Sequence, residues 1–124
     1  LPVAKGRFAQ KQRIINMYCR SALFIGTVDP EHMDAFKSQL EGNVAKAILK
    51  FPGIQNLQMK WAKEIEDGGP SLLLTLEHSY ASKTDLENAL ASDARAGSHE
   101  ALKPVMPYFK GNVFHINSDV TDFG

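Results

Sequence analysis

An α+β domain of order β-α-β-β-α-β, the ferredoxin-like arrangement built on one antiparallel four-stranded sheet, is what this sequence predicts. Three observations carry the expectation. A short apolar strand runs directly into a capped helix, two strand-like stretches then follow one another across a Gly-rich turn, and a second capped helix leads to a final apolar strand.

Residues 20–28, Arg-Ser-Ala-Leu-Phe-Ile-Gly-Thr-Val, are apolar, carry an aromatic and end on β-branched residues, which predicts the first strand. Residues 14–18 extend it if they pair. Asp29-Pro30-Glu31 opens a helix: Asp29 can accept an orphan backbone N–H, Pro30 suits the first turn, and Glu31 favours the positive end of the dipole. Met33, Phe36, Leu40, Val44, Ala47, Ile48 and Phe51 then give that helix one apolar face, and Pro52-Gly53 stops it. Residues 54–65 alternate imperfectly through Ile54, Leu57, Met59 and Trp61 as a second strand, and Asp67-Gly68-Gly69-Pro70 turns the chain into a third, residues 71–80. Ser82-Lys-Thr-Asp85 resembles a capping box, with Leu86, Ala89 and Leu90 on one face of the helix it opens. A further helical turn is expected over residues 99–106, ended by Pro107, then a last strand over residues 112–117 and a polar tail.

Composition bounds the function. The 124 residues fit one domain, read as an N-terminal arm (1–19) and a folded body (20–124). Lys+Arg and Asp+Glu both number 14, so no net charge draws the chain to nucleic acid or to an acidic membrane. Lys5, Arg7, Lys11, Arg13 and Arg20 precede the first acidic residue, Asp29; a solvated terminal segment accounts for them more simply than a grip on phosphate. Cys19 is the single cysteine, no apolar run approaches the ~20 residues of a membrane span, and no apolar leader follows the first basic residues, so a reducing cytoplasm is the expected location. An RNA-recognition domain shares the strand–helix order, but its third strand needs a basic residue, Gly and stacking aromatics, none of which Ser71-Leu-Leu-Leu-Thr-Leu-Glu-His supplies.

Both faces of the sheet are apolar. The first strand sets Ala22, Phe24 and Gly26 against Leu23 and Ile25, and the third sets Leu72, Leu74 and Leu76 against Leu73 and Thr75. Two helices cover one side of a four-stranded sheet, so the other needs a cover, and a second copy about a two-fold axis is the economical one. The expectation is a homodimer whose sheets close into a barrel.

At this point the chain resembles the dimeric α/β-barrel superfamily, in its antibiotic-biosynthesis-monooxygenase-like and EthD-like branches. The resemblance runs from Ser21 to Asn117 and rests on Phe51-Pro52-Gly53-Ile54 and on the passage from Leu76 through Ser82, Leu86 and Ser92-Asp93 to His99. Heme-degrading members carry a Trp at the position of Tyr80, a heme-ligating His at that of His99, and an Asn on the first strand. This chain keeps the His but has Tyr80, and its first strand has no Asn. The resemblance implies a cofactor-independent oxygenase or isomerase acting on an apolar, aromatic or polyketide-like molecule, with a heme-binding monooxygenase as a further alternative. A non-catalytic ligand-binding or stress-associated dimer is the reading from a different class.

The candidate catalytic residues are His99, His78 and Tyr80. His78 and Tyr80 share a face of the third strand, and His99 belongs to the second helical region, from which it can face them. His99 or His78 would abstract a proton from an activated carbon and Tyr80 would hold the developing oxyanion. Trp61 is expected as a core or interface anchor, His115 as a satisfied sheet histidine, His32 at the surface, and Glu77 in an ion pair with Lys60 or Lys63. Arg95 suits a solvated helix face, or a hold on a substrate carboxylate. No Gly-rich phosphate loop, HExxH or cysteine pair is present, so no metal is expected and no cofactor beyond the heme alternative.

Overall fold

The computed structural model describes residues 14–124, so most of the expected N-terminal arm lies outside the described residues. The strands are β1 (Ile15–Val28), β2 (Asn56–Trp61), β3 (Leu72–Tyr80) and β4 (Phe109–Asp122); the helices are α1 (Pro30–Gln39), α2 (Ala45–Ile48), α3 (Lys83–Leu90) and α4 (Ala94–Leu102). They form a single antiparallel sheet in the order β2-β3-β1-β4 with the helices packed on one side, the ferredoxin-like α+β fold.

β1 is the axis of the sheet. It pairs with β3 from Tyr18↔Tyr80 to Ile25↔Leu72, and with β4 along its whole length from Ile15↔Asp122 to Val28↔Phe109. That second ladder corrects the expected end of the chain. The polar stretch after Asn117 is strand because Ile15–Cys19 offers it backbone partners, and pairing overrides weak local propensity. β2 is shorter than residues 54–65, since pairing with β3 stops at Trp61↔Leu74. The second helical region also begins earlier than residues 99–106. α4 starts at Ala94, and Met106–Tyr108 forms a separate 3-10 turn beyond it. Gly97 inside α4 had weakened the helical signal there.

α1 and α2 are one rod, joined by a π turn over Leu40–Val44. Its buried residues Phe36, Leu40, Val44 and Ile48 recur every fourth position. On a 3.6-residue helix such steps drift about 40° each. The wider π turn takes that drift back and keeps all of them on the sheet. Gly53, at φ +79°, lets the chain leave the rod after Phe51, and Ser82 caps α3 by accepting the Asp85 N–H at 3.2 Å, as its sequence signalled.

Two core clusters result. The larger gathers Phe24, Phe36, Leu40, Val44, Leu74, Leu76 and Phe109, with Phe24 edge-on to Phe36 and Phe109 at 6.4 and 5.5 Å. Trp61 adjoins it, edge-on to Phe36 and donating its indole N–H to Glu41 at 2.9 Å. The smaller unites Phe51, Tyr80, Leu86 and Ala89. On the opposite face, which no helix covers, Leu23, Ile25 and Leu73 are half-buried, while Phe114 and Ile116 are 54% and 51% exposed. In the same face Glu77 binds Lys60 at 2.7 Å and accepts the Ser21 hydroxyl at 2.9 Å, which selects Lys60 from the two expected partners.

Gly26 and Gly111 face each other across the β1–β4 ladder. A Cβ on Gly111 would lie 2.1 Å from the Ile25 carbonyl oxygen, a contact that only backbone movement relieves. Gly111→Ala is therefore expected to cost about 2 kcal/mol, roughly 5–10 °C in Tm. Thermal unfolding checks it, and an unchanged Tm would show that the ladder can spread there.

Candidate functional site

Between the two core clusters lies a cavity of about 220 Å³. Its floor is sheet: Ala22 and Phe24 of β1, Leu76 and His78 of β3, Val113 and His115 of β4. Its roof is helical, with Ile48 and Phe51 at the end of the long rod, Leu90 at the end of α3, and Arg95, Ser98, His99 and Leu102 on α4. Arg20, the cross-strand partner of His78, reaches it from β1.

Period-two alternation delivers these groups. Arg20, Ala22 and Phe24 share the helix-facing side of β1, as do Leu76, His78 and Tyr80 on β3. His78 is thereby only 6% exposed, edge-on to Phe51 at 5.6 Å. Its Nδ1 lies 2.6 Å from the Tyr80 hydroxyl. Tyr80 is fully buried and stands behind the imidazole rather than on the cavity wall. Burial, then the Arg20 charge and His115, lowers the His78 pKa to about 4, so the ring is neutral at pH 7. Burial raises the Tyr80 pKa to about 12, opposed in part by Arg20, and keeps its proton on.

These protonation states assign the tautomer. A Tyr80 hydroxyl that donates to Nδ1 satisfies both atoms, whereas the reverse arrangement leaves the phenolic proton buried without an acceptor. His78 therefore carries its hydrogen on Nε2. That atom has no partner among the described residues and is not sealed from solvent, so its N–H is offered to the cavity.

His99 lies at the rim, on the exposed side of α4, and lines the same cavity as His78. Two further groups were not marked by the sequence as part of the site. Arg20 is half-buried and donates to the Asn117 side-chain oxygen at 3.2 Å; burial and then Arg95 lower its pKa. His115 is not a satisfied sheet histidine: it is exposed, has no hydrogen-bond partner among the described residues, and lines the cavity. Burial lowers its pKa first, then Arg20, Arg95 and His99. Phase alone could have found both, because Arg20 is in step with Phe24 and His115 with Val113, while Phe114 and Ile116 point the other way. His32 is apart from the site, stacked on Tyr108 at 4.2 Å. Among the described residues no group of three His, Cys, Asp or Glu is placed to hold a metal ion, and no helix is long and apolar enough to cross a membrane.

No protein-family model and no curated protein sequence matches the chain. Solved structures do. An EthD family protein from Bacillus halodurans C-125 superimposes with TM-score 0.62 at 20% identity, over 82% of this chain and 96% of that one. A DABB family protein with a ferredoxin-like fold from Mesorhizobium loti MAFF303099 gives TM-score 0.61 at 8% identity, over 83% and 95%. A candidate antibiotic biosynthesis monooxygenase from Nitrosomonas europaea gives 0.56 at 15% identity, over 82% and 88%. The fold these structures share with the chain is the ferredoxin-like one. Within this fold the cavity sits between the sheet and the helices, with walls from β1, β3 and β4 below and from the long rod, α3 and α4 above.

The buried imidazole makes stability depend on pH. Unfolded, His78 takes a proton near pH 6.5; folded, only near pH 4. Between those values the unfolded chain binds more protons, so acidification withdraws stability, by up to about 3 kcal/mol at pH 4 and none above pH 7. His78→Gln can keep a bond to Tyr80 without titrating. Urea unfolding of both proteins should show the wild type losing about 3 kcal/mol more than the variant from pH 7 to pH 4. Parallel curves would mean that the ring protonates inside the fold.

Proposed function

We propose that the cavity is the active site of a small-molecule enzyme that removes a proton from a carbon beside a carbonyl group. The observation that supports this is the neutral His78 ring, fixed by Tyr80 and offering an N–H inside an apolar cavity. A neutral imidazole held as a donor stabilises a developing oxyanion. Its low basicity makes it a poor base. His99, on the opposite wall, is then the base, since an imidazole suits proton transfer near neutral pH. The substrate C–H proton passes to His99, its electron pair moves onto the carbonyl oxygen, and the His78 N–H holds that oxygen. Tyr80 acts through His78 as a positioning residue rather than on the oxyanion directly. Return of the proton to another carbon gives an isomerisation; reaction of the carbanion with molecular oxygen gives an oxygenation. Both share the first step.

The residues suit this chemistry better than heme. His99 offers an imidazole, but a cavity of about 220 Å³ lies below the roughly 300–1,000 Å³ of ordinary ligand pockets, and a porphyrin needs more.

We also propose that the chain works as a homodimer joined through the uncovered sheet face. Structural neighbours from Thermobifida fusca YX and Bacteroides fragilis NCTC 9343 are dimeric ferredoxin-like proteins. Here Leu23, Ile25, Leu73, Phe114 and Ile116 supply an apolar surface of the kind that a second copy covers.

Proton abstraction is tested by deuterium exchange in D2O, followed by proton NMR over a panel of aryl 1,3-dicarbonyl compounds. Wild-type protein should accelerate exchange of at least one member. His99→Ala and His78→Phe should each lose about 10²-fold or more, and Tyr80→Phe about tenfold. Unchanged exchange in both histidine variants would defeat the assignment, and binding without exchange would favour a non-catalytic ligand carrier.

For the dimer, light scattering should give twice the chain mass. Phe114→Asp, which places two like charges in a symmetric contact yet alters a side chain exposed in the single subunit, should give a folded monomer. A wild-type monomer at high micromolar concentration would end the barrel reading.

A further inference from the structure

We propose that the cavity is built for an anion: a small molecule with an apolar body on the sheet floor and a carboxylate held at the mouth by Arg20 and Arg95. This rests on the reading of the cavity as a ligand site, though not on proton abstraction by His99.

The asymmetry of the lining carries the inference. Arg20, Arg95, His99 and His115 all open onto the cavity, and no Asp or Glu does. In a chain with 14 residues of each sign that is a local arrangement, not a consequence of composition. Elsewhere among the described residues Lys60, Lys103 and Lys110 each have a carboxylate, on Glu77, Glu100 and Asp29. No described carboxylate forms an ion pair with Arg20 or Arg95, even though Asp119 follows Asn117 on the same side of β4. Residues 1–13 contain no acidic side chain that could do so. The hydrogen-bond partner of Arg20 is the neutral Asn117 amide.

Collecting like charges at the edge of an apolar cavity is unfavourable, and the cost is visible in the groups themselves. Burial and then Arg95 hold the Arg20 pKa down, and burial followed by Arg20, Arg95 and His99 does the same to His115. A bound anion removes the repulsion. A carboxylate matches the planar guanidinium with two parallel hydrogen bonds, and guanidinium is weakly hydrated enough to make them in a half-buried setting. The walls below, Ala22, Phe24, Leu76, Phe51 and Val113, are apolar, and a volume of about 220 Å³ admits a single-ring acid.

The test uses the full chain and two isosteric probes, phenylacetate and phenylacetamide, with affinities from calorimetry and location from NMR shifts of the His78 ring. Phenylacetate should bind at least about tenfold more tightly than the amide. Arg95→Gln and Arg20→Gln should each weaken phenylacetate about tenfold and leave phenylacetamide unchanged. Arg95 is exposed on α4, so its variant decides the matter even if Arg20→Gln fails to fold. Equal affinities for acid and amide, no binding of either at millimolar concentration, or undiminished acid binding in Arg95→Gln would each overturn the proposal. Acid binding without proton exchange overturns only the enzymatic reading; exchange of neutral dicarbonyls without acid binding overturns only this one.

Discussion

The alternation of side chains along β1 and β3 is the constraint on which the rest of this domain depends. With a repeat of two residues, every position is committed to one face, and a slip of one would exchange the faces completely. The register Arg20↔His78 and Ala22↔Leu76 places the core, the cavity floor and the buried imidazole on the helix side. The same register leaves Ser21↔Glu77 and Leu23↔Thr75 on the open side. Core and site are therefore not separate achievements. The strand that buries Leu74 and Leu76 against α1 also carries His78 and Tyr80 into a gap between two hydrophobic clusters.

The chemistry follows from what surrounds that gap. Apolar walls and the nearby Arg20 charge make protonation of His78 unfavourable, so the ring presents a dipole instead of a charge. Tyr80 gives the dipole a direction, because its buried hydroxyl has one acceptor within reach. At the mouth the balance reverses. Partial exposure lets guanidinium groups remain where a buried one would need a carboxylate. A neutral interior beneath a cationic rim is the electrostatic profile of the site.

Much of this was legible in the sequence, for identifiable reasons. The α1 face, the Ser82 cap, the Gly53 stop and the shared face of His78 and Tyr80 are local signals, readable within a few residues. What was not legible depended on partners distant in the chain. The polar residues 118–122 became strand because β1 runs back to Ile15, and no local pattern carries that fact. His115 looked like a packed histidine because of neighbours that point to the opposite face. Arg20 looked like one more member of a basic terminal run until its register beside His78 became visible. The positions of the three candidate residues separated only in three dimensions, where Tyr80 is buried behind His78 and His99 lies on the opposite wall.

The Glu77–Lys60–Ser21 cluster gives the uncovered sheet face a further property. A uniformly greasy surface adheres to any other greasy surface, including sheet edges, unfolded chains and lipid. The Glu77 carboxylate, partly buried and held by Lys60 and Ser21, cannot be covered by hydrocarbon alone, because its remaining hydration would be stripped without replacement. Such a cluster favours a neighbour that meets its hydrogen bonds over one that offers only hydrocarbon.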